Sequence, residues 1–353
     1  MFQRILPNTM TRSIGLLISC AVLVFCLIGS IKLGLTKIDW NAMLHAYGTA
    51  NPSEEQLVIR TTRVPRALIA LCVGASLAIS GALMQALTRN PLASPTIFGI
   101  NAGAAFFVVL AASYLSASSY HTFTWIAFFG AAVSGSIVYA LSSLGRGGLT
   151  PLKLTLAGAA ITAFFHTLTQ GVLVTEESTL DEVLYWLSGS IVGRKLEMLT
   201  DILPFFITAW LVALILARPI NTLTMGEHIA RGLGQKTGWV KLLAALVIIF
   251  LAGGSVAVAG PIGLVGLVVP HIARTLVGSD FRWIIPYCAV LGGSFLLLAD
   301  IGARYLIMPG SPLVDLLSGL GARTLSDEVP VGVITALIGA PFFIYIARRS
   351  ITE

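Results

Sequence analysis

Asp300 and Arg304 stand four residues apart in an otherwise apolar run. On a helix that spacing brings a carboxylate and a guanidinium to one face, where they can pair locally or serve an ion crossing a membrane. Glu227 and Arg231 repeat the spacing in the segment Gly226-Glu227-His228-Ile229-Ala230-Arg231-Gly232-Leu233-Gly234. Its glycines can end a short helix, and Ile229 and Leu233 share a face, which fits either a docking element or a helix lying on a membrane surface. His45, His121, His166, His228 and His271 form no H-E-x-x-H or comparable ligand spacing, and Cys20, Cys26, Cys72 and Cys288 sit singly inside apolar runs, so no metal site and no catalytic set is expected. The chain also has no G-x-x-x-x-G-K-[ST], the loop whose backbone amides cradle ATP phosphates. Any ATP and its magnesium must therefore be bound by a partner.

The elements that carry these residues follow from composition. Of 353 residues, 56% are hydrophobic and 11% charged, and the mean hydropathy is +0.89. One soluble core cannot bury that much apolar surface, so lipid must solvate most of it. Charge-free runs cover 13–31, 67–88, 154–175, 202–217, 283–299 and 329–347, while 90–145 and 242–273 are long enough for two helices each. The second of these breaks at Gly260-Pro261-Ile262-Gly263. The expected fold is all-α, a polytopic membrane protein of about ten spans in one domain covering 1–353. The helices are expected near 13–34, 64–86, 95–115, 121–144, 154–175, 199–217, 239–259, 262–278, 284–307 and 329–347, with a loop at 218–238. The first run resembles a signal peptide but is long and lacks a small-x-small cleavage site, so it is read as a retained span. Placing both termini in the cytoplasm puts thirteen of the 22 basic residues and only three of the 16 acidic ones inside, which agrees with the positive-inside rule. The formal charge of +6 is read as this asymmetry, and no nucleic-acid partner is expected.

Four segments mix Gly and Pro with charge. Arg63-Val64-Pro65-Arg66 precedes Ser80-Gly81-Ala82-Leu83-Met84-Gln85 and the turn Arg89-Asn90-Pro91-Leu92-Ala93-Ser94-Pro95. The 226–234 segment is second, and Pro270-His271-Ile272-Ala273-Arg274 closes the third. The fourth runs from Ala299-Asp300 to Ala303-Arg304 and on to Glu328-Val329-Pro330-Val331-Gly332. By themselves, Arg63 and Arg66 read as side chains snorkelling to headgroups, and His271 with Arg274 as headgroup anchors.

In this order, the motifs R-x-P-R, S-G-x-x-x-Q, N-P-L-A-x-P, G-E-x-x-A-x-x-L-G, P-H-x-x-R, A-D-x-x-A-R and E-x-P-x-G resemble the permease subunits of ABC importers for iron-siderophores, haem and cobalamin, from about Arg63 to Arg348. The outer segment 308–327 looks longer than the family's, and the acid before Pro330 is offset to Glu328. The resemblance implies a non-catalytic bacterial cell-membrane subunit that pairs with a second permease, the same chain or a paralogue. It also implies two ATPase subunits and an extracytoplasmic binding protein as partners, with a ferric siderophore as cargo and cobalamin or haem as the alternative.

By the same carry-over, Gly226, Glu227, His228, Ala230, Arg231, Leu233 and Gly234 couple to the ATPase, and Arg63, Arg66 and Arg304 dock the binding protein. Thr150, Pro151, Leu152 and Lys153 with Ala157, Gly158, Ala159 and Ala160 form gate and path. Asn90, Pro91, Pro270, His271, Arg274 and Asp300 are structural motif positions. The reading from another class is an ion-coupled secondary transporter with Asp300 as its coupling site.

Overall fold

The computed structural model describes residues 5–34, 38–48, 51–114, 119–145, 149–175, 186–306 and 328–352, and every regular element among them is helical. In chain order the helices are α1 (Thr9–Lys32), α2 (Trp40–Leu44), α3 (Glu54–Val58), α4 (Val64–Thr88), α5 (Ile100–Tyr114), α6 (Tyr120–Ser143) and α7 (Pro151–Thr175). They continue as α8 (Leu196–Thr224), α9 (Glu227–Gly232), α10 (Thr237–Ala259), α11 (Val265–Val277), α12 (Phe281–Leu306) and α13 (Val331–Thr352). Among the described residues, seven helical stretches are long and apolar enough to cross a membrane, and α5, α11 and much of α13 are shorter apolar helices. The outer segment 308–327, singled out in the sequence, lies outside the described residues.

The hub is α4, which packs against α12, α10, α11 and α8. Lipid supplies no hydrophobic force between apolar helices, so close packing of small residues must hold them together. The sequence of α4 provides this at two levels. Gly74 lies against the backbone of Gly292 in α12, and Gly81 against that of Gly266 in α11. A methyl group at either place would run into a carbonyl, so these helices meet backbone to backbone. In the most apolar stretch of α4, 89% of residues are buried, against 11% in α1, which packs mainly on α12 and turns Leu17, Val22 and Phe25 outward. A second group, α5, α6 and α7, joins the hub mainly through α10.

Two helix boundaries differ from the apolar runs. The 35 helical residues from 54 to 88 begin well before the apolar stretch at Ala67. Pro65 has no N–H to give to the turn behind it, and the chain answers with a π-turn at Ile59–Arg63, where the Val64 amide reaches Ile59 O. The helix expected to end at 217 runs to Thr224, through Pro204 and Pro219. It thereby takes up the start of the expected 218–238 loop, whose remainder is α9, its short connections and the first two residues of α10.

Candidate functional site

The two ends of the bundle each hold a cluster of charges. At one end, Arg66 donates through Nε to Asp300 Oδ1 at 2.8 Å, with Nη2 2.7 Å from the same oxygen, and its Nη1 reaches Glu328 Oε2 at 2.5 Å. Arg304 binds the other Asp300 oxygen and donates to Ser30 O at 2.7 Å, Ser30 Oγ at 2.9 Å and Leu33 O at 3.1 Å. Arg63 donates to Leu33 O at 2.7 Å. The cluster thus ties α1, α4, α12 and the entry to α13 together. Asp300 is completely buried, and Arg63, Arg66 and Arg304 are 7%, 5% and 4% exposed.

Arg63, Arg66 and Arg304, the expected binding-protein docking residues, are thus engaged within the chain. Their guanidinium groups turn inward because a buried Asp300 carboxylate and two helix-end carbonyls of α1 need donors there. The local Asp300–Arg304 pair is present but shares its carboxylate with Arg66, 234 residues away in sequence.

At the other end, Gly226 precedes α9 with φ +136°, a backbone shape that L side chains rarely adopt. The helix closes on Gly234 at φ +80°, where the Gln235 amide reaches back to Ala230 O at 2.9 Å. Glu227 Oε1 accepts from Arg231 Nη2 at 2.7 Å, and Oε2 accepts from Lys241 Nζ at 2.7 Å. Thr237 joins both, accepting from Arg231 Nε at 3.2 Å. Partial burial works to raise the Glu227 carboxyl, but Lys241 and Arg231 outweigh it and hold the group below the ordinary range.

Ala230 is buried, His228 is exposed, and Ile229 and Leu233 are 51% and 70% exposed. Nearby, Asn221 Nδ2 and Arg282 share Asp280. Burial again works upward there, yet Arg282 and Asn221 bring the Asp280 carboxyl down to about 2.

Between the ends, α7 shows three faces. Leu154, Gly158, Phe165, Thr169 and Leu173 are buried. Thr155, Ala159, Ala163, His166 and Gln170 form an exposed stripe of small and polar side chains, while Phe164 and Leu168 are exposed on an apolar side. His166 and Gln170 have no partner among the described residues, whereas the Thr155 hydroxyl donates to Pro151 O at 3.0 Å. Lipid cannot solvate an imidazole and an amide cheaply.

Of the expected path residues, Ala159 and Ala160 are exposed and Ala157 is half-buried. Gly158 packs against Ile97 O of the 3₁₀ turn Pro95–Phe98, where a side chain would clash. Thr150 caps α7, its Oγ accepting from the Lys153 amide at 3.3 Å. Pro151 and Leu152 are exposed, and Lys153 Nζ donates to Leu144 O at 2.9 Å.

The other motif residues act as braces. Asn90 Oδ1 accepts from the Leu92 amide at 2.9 Å to shape the turn after α4, with Pro91 exposed beside it. Pro270 is buried within α11, His271 packs edge-on against Phe342 of α13, and Arg274 donates to Gln85 of α4. The sequence reading missed Lys241, Asn221 and Ser30 as partners. A lysine at the fifth position of the very apolar α10 was the one signal present for Lys241.

The FecCD transport family matches residues 22–322 of the chain. A Bacillus subtilis relative, "Probable siderophore transport system permease protein YfiZ", is 50% identical over 328 residues, 93% of each chain. The "Fe(3+)-citrate import system permease protein YfmD" of the same organism is 41% identical over 349 residues, 99% of this chain and 98% of that one. Among solved structures, one titled "An inward-facing conformation of a putative metal-chelate type ABC transporter" superposes with a TM-score of 0.78 at 29% identity, covering 96% of this chain and 99% of that one.

Proposed function

Because the chain belongs to the FecCD transport family, we propose that it is the permease subunit of an ATP-driven importer, with a ferric siderophore as cargo. The observation that carries the reading is the α7 stripe. A membrane-spanning helix that presents Thr155, Ala159, Ala163, His166 and Gln170 to the outside of its own chain needs water or protein against that face. A second permease subunit facing it across a water-filled path meets that need, and the small side chains leave room for a bulky chelate.

In this reading the chain crosses a bacterial cell membrane ten times, with both termini and α9 in the cytoplasm. The apolar side chains of Ile229 and Leu233, exposed on a loop, then meet one of two ATPase subunits, which bind the ATP and magnesium. An extracytoplasmic binding protein delivers cargo at the arginine end. The family resemblance and the iron chelates in the names of YfiZ and YfmD support the cargo class. Asp300, held between two buried arginines, is a structural tie in this scheme, which speaks against an ion-coupled carrier.

Uptake of radiolabelled iron supplied as citrate, hydroxamate and catecholate chelates, with labelled cobalamin and haem in parallel, tests the proposal in cells lacking the chain and in cells with it restored. Loss of a ferric chelate alone is expected. Loss of cobalamin or haem uptake alone would overturn the cargo, and uptake that persists without the partner ATPase would overturn the mechanism.

A further inference from the structure

Lys241 is the fifth residue of α10, buried, and its ammonium joins α9 to the segment that enters α7. Its Nζ donates to Glu227 Oε2 at 2.7 Å and to Leu149 O at 2.8 Å. Glu227 opens α9 and is fixed there by Arg231. Leu149 adjoins Thr150, whose carbonyl accepts from the Leu154 amide at 3.0 Å and whose hydroxyl accepts from the Lys153 amide, so the Leu149 carbonyl is joined stiffly to the first turn of α7. Another tie of the same loop, Gln235 Nε2 to Pro219 O at 2.8 Å, runs to α8 instead.

A buried ammonium that loses an acceptor is left with an unpaired charge and a missing hydrogen bond, which is costly away from water. When α9 is displaced, Lys241 therefore has a strong reason to keep both contacts and draw Leu149 along. We infer that Lys241 is a positioning residue that carries motion of α9 to the inner end of α7. The inference rests on the reading of α9 as the ATPase-facing element and α7 as the path helix, and it adds the physical link between them. Lys241 itself touches no cargo.

Hydrogen exchange on the assembled transporter, permease with its ATPase subunits in lipid, tests this with and without the non-hydrolysable nucleotide AMP-PNP. In the wild type, amides of both α9 and the first turn of α7 should change protection on adding nucleotide. In Lys241→Met, which keeps the apolar stem, the α9 change should persist and the α7 change should vanish. Transport per ATP hydrolysed should then drop about tenfold, within the usual range of coupling between sites. Lys241→Arg, which retains two donors, should keep both changes.

A Lys241→Met transporter whose α7 still responds fully would overturn the link while leaving the docking reading intact. A wild-type α9 that ignores nucleotide would overturn the docking reading, and the link with it. Should Lys241→Met fail to assemble, Glu227→Met, which offers the ammonium no oxygen, breaks the link at its other end and leaves Lys241 on Leu149. An unchanged α7 response in that variant would overturn the inference equally.

Discussion

The two charged ends use the same residue types to opposite purpose. At the arginine end the central carboxylate, Asp300, is sealed from solvent, and two guanidinium groups close on it. At the loop end the central carboxylate, Glu227, is 25% exposed, and one of its two cationic partners, Arg231, stands mostly in solvent. A sealed pair is held by the penalty for breaking it, since whatever charge remains has no water to turn to. A half-open pair such as Glu227–Arg231 exchanges its contact for water at little cost, while the buried Lys241 keeps its own. The arginine end is accordingly a rivet, joining α1, α4, α12 and the segment entering α13. The loop end can yield, which suits an element that receives a push.

The largest effect that tests this contrast belongs to Asp300→Asn. The substitution keeps the volume and removes the charge that both Arg66 and Arg304 answer. It should cost about 3–5 kcal/mol, the usual penalty for stripping one partner from a buried pair. Thermal inactivation of the purified chain should shift down by many degrees, with little sensitivity to salt. A shift no larger than that of a surface substitution would mean that the arginine end is wetter than its packing indicates.

The apolar runs were plain in the sequence because lipid demands them residue by residue, and α9 was plain because glycines and an i, i+4 ion pair are local signals. The arginine cluster was not. Arg63 and Arg66 look like surface cations when only their neighbours in the chain are read, and nothing nearby announces Asp300, Glu328 or the Leu33 carbonyl as their partners. The same limit hid Lys241, whose acceptors lie 14 and 92 residues away. Gly158 shows a related limit. A small residue on a spanning helix serves a path or a close contact equally well, and only the position of Ile97 O decides between them.

A smaller effect is expected from Glu227→Gln on stability alone. Its pair with Arg231 is solvated and a glutamine oxygen still accepts from the buried Lys241 ammonium, so the loss should stay well below that of Asp300→Asn and shrink further in high salt. Thermal inactivation at low and high ionic strength, run beside Asp300→Asn, measures the difference between the ends directly. If Glu227→Gln destabilises the chain as much as Asp300→Asn does, the loop end is a second rivet and the contrast fails.

The smallest effect is a local one, and its sign follows from Asp280. Hydrogen bonds from Arg282 and Asn221 hold that carboxyl at about 2, below its ordinary 3.8. Its contribution is therefore complete above the ordinary value and is lost as acid carries the pH from about 4 toward 2. Glu227, shifted in the same direction, weakens alongside it. Because Asp280 is partly in water, the loss should remain under about 1 kcal/mol. It should appear as faster exchange of the amides that Asp280 itself holds, Arg282 N on its side chain and Ile284 N on its carbonyl. Amides from Val73 to Met84, in the buried interior of α4, provide the reference. After correction for intrinsic exchange, lowering the pH from 5 to 3 should open the start of α12 while leaving that reference protected. Asp280→Asn should abolish the pH dependence at Arg282 and Ile284. If the variant keeps it, the acid response belongs to another group, and the loop end yields for a reason other than its half-solvated carboxylates.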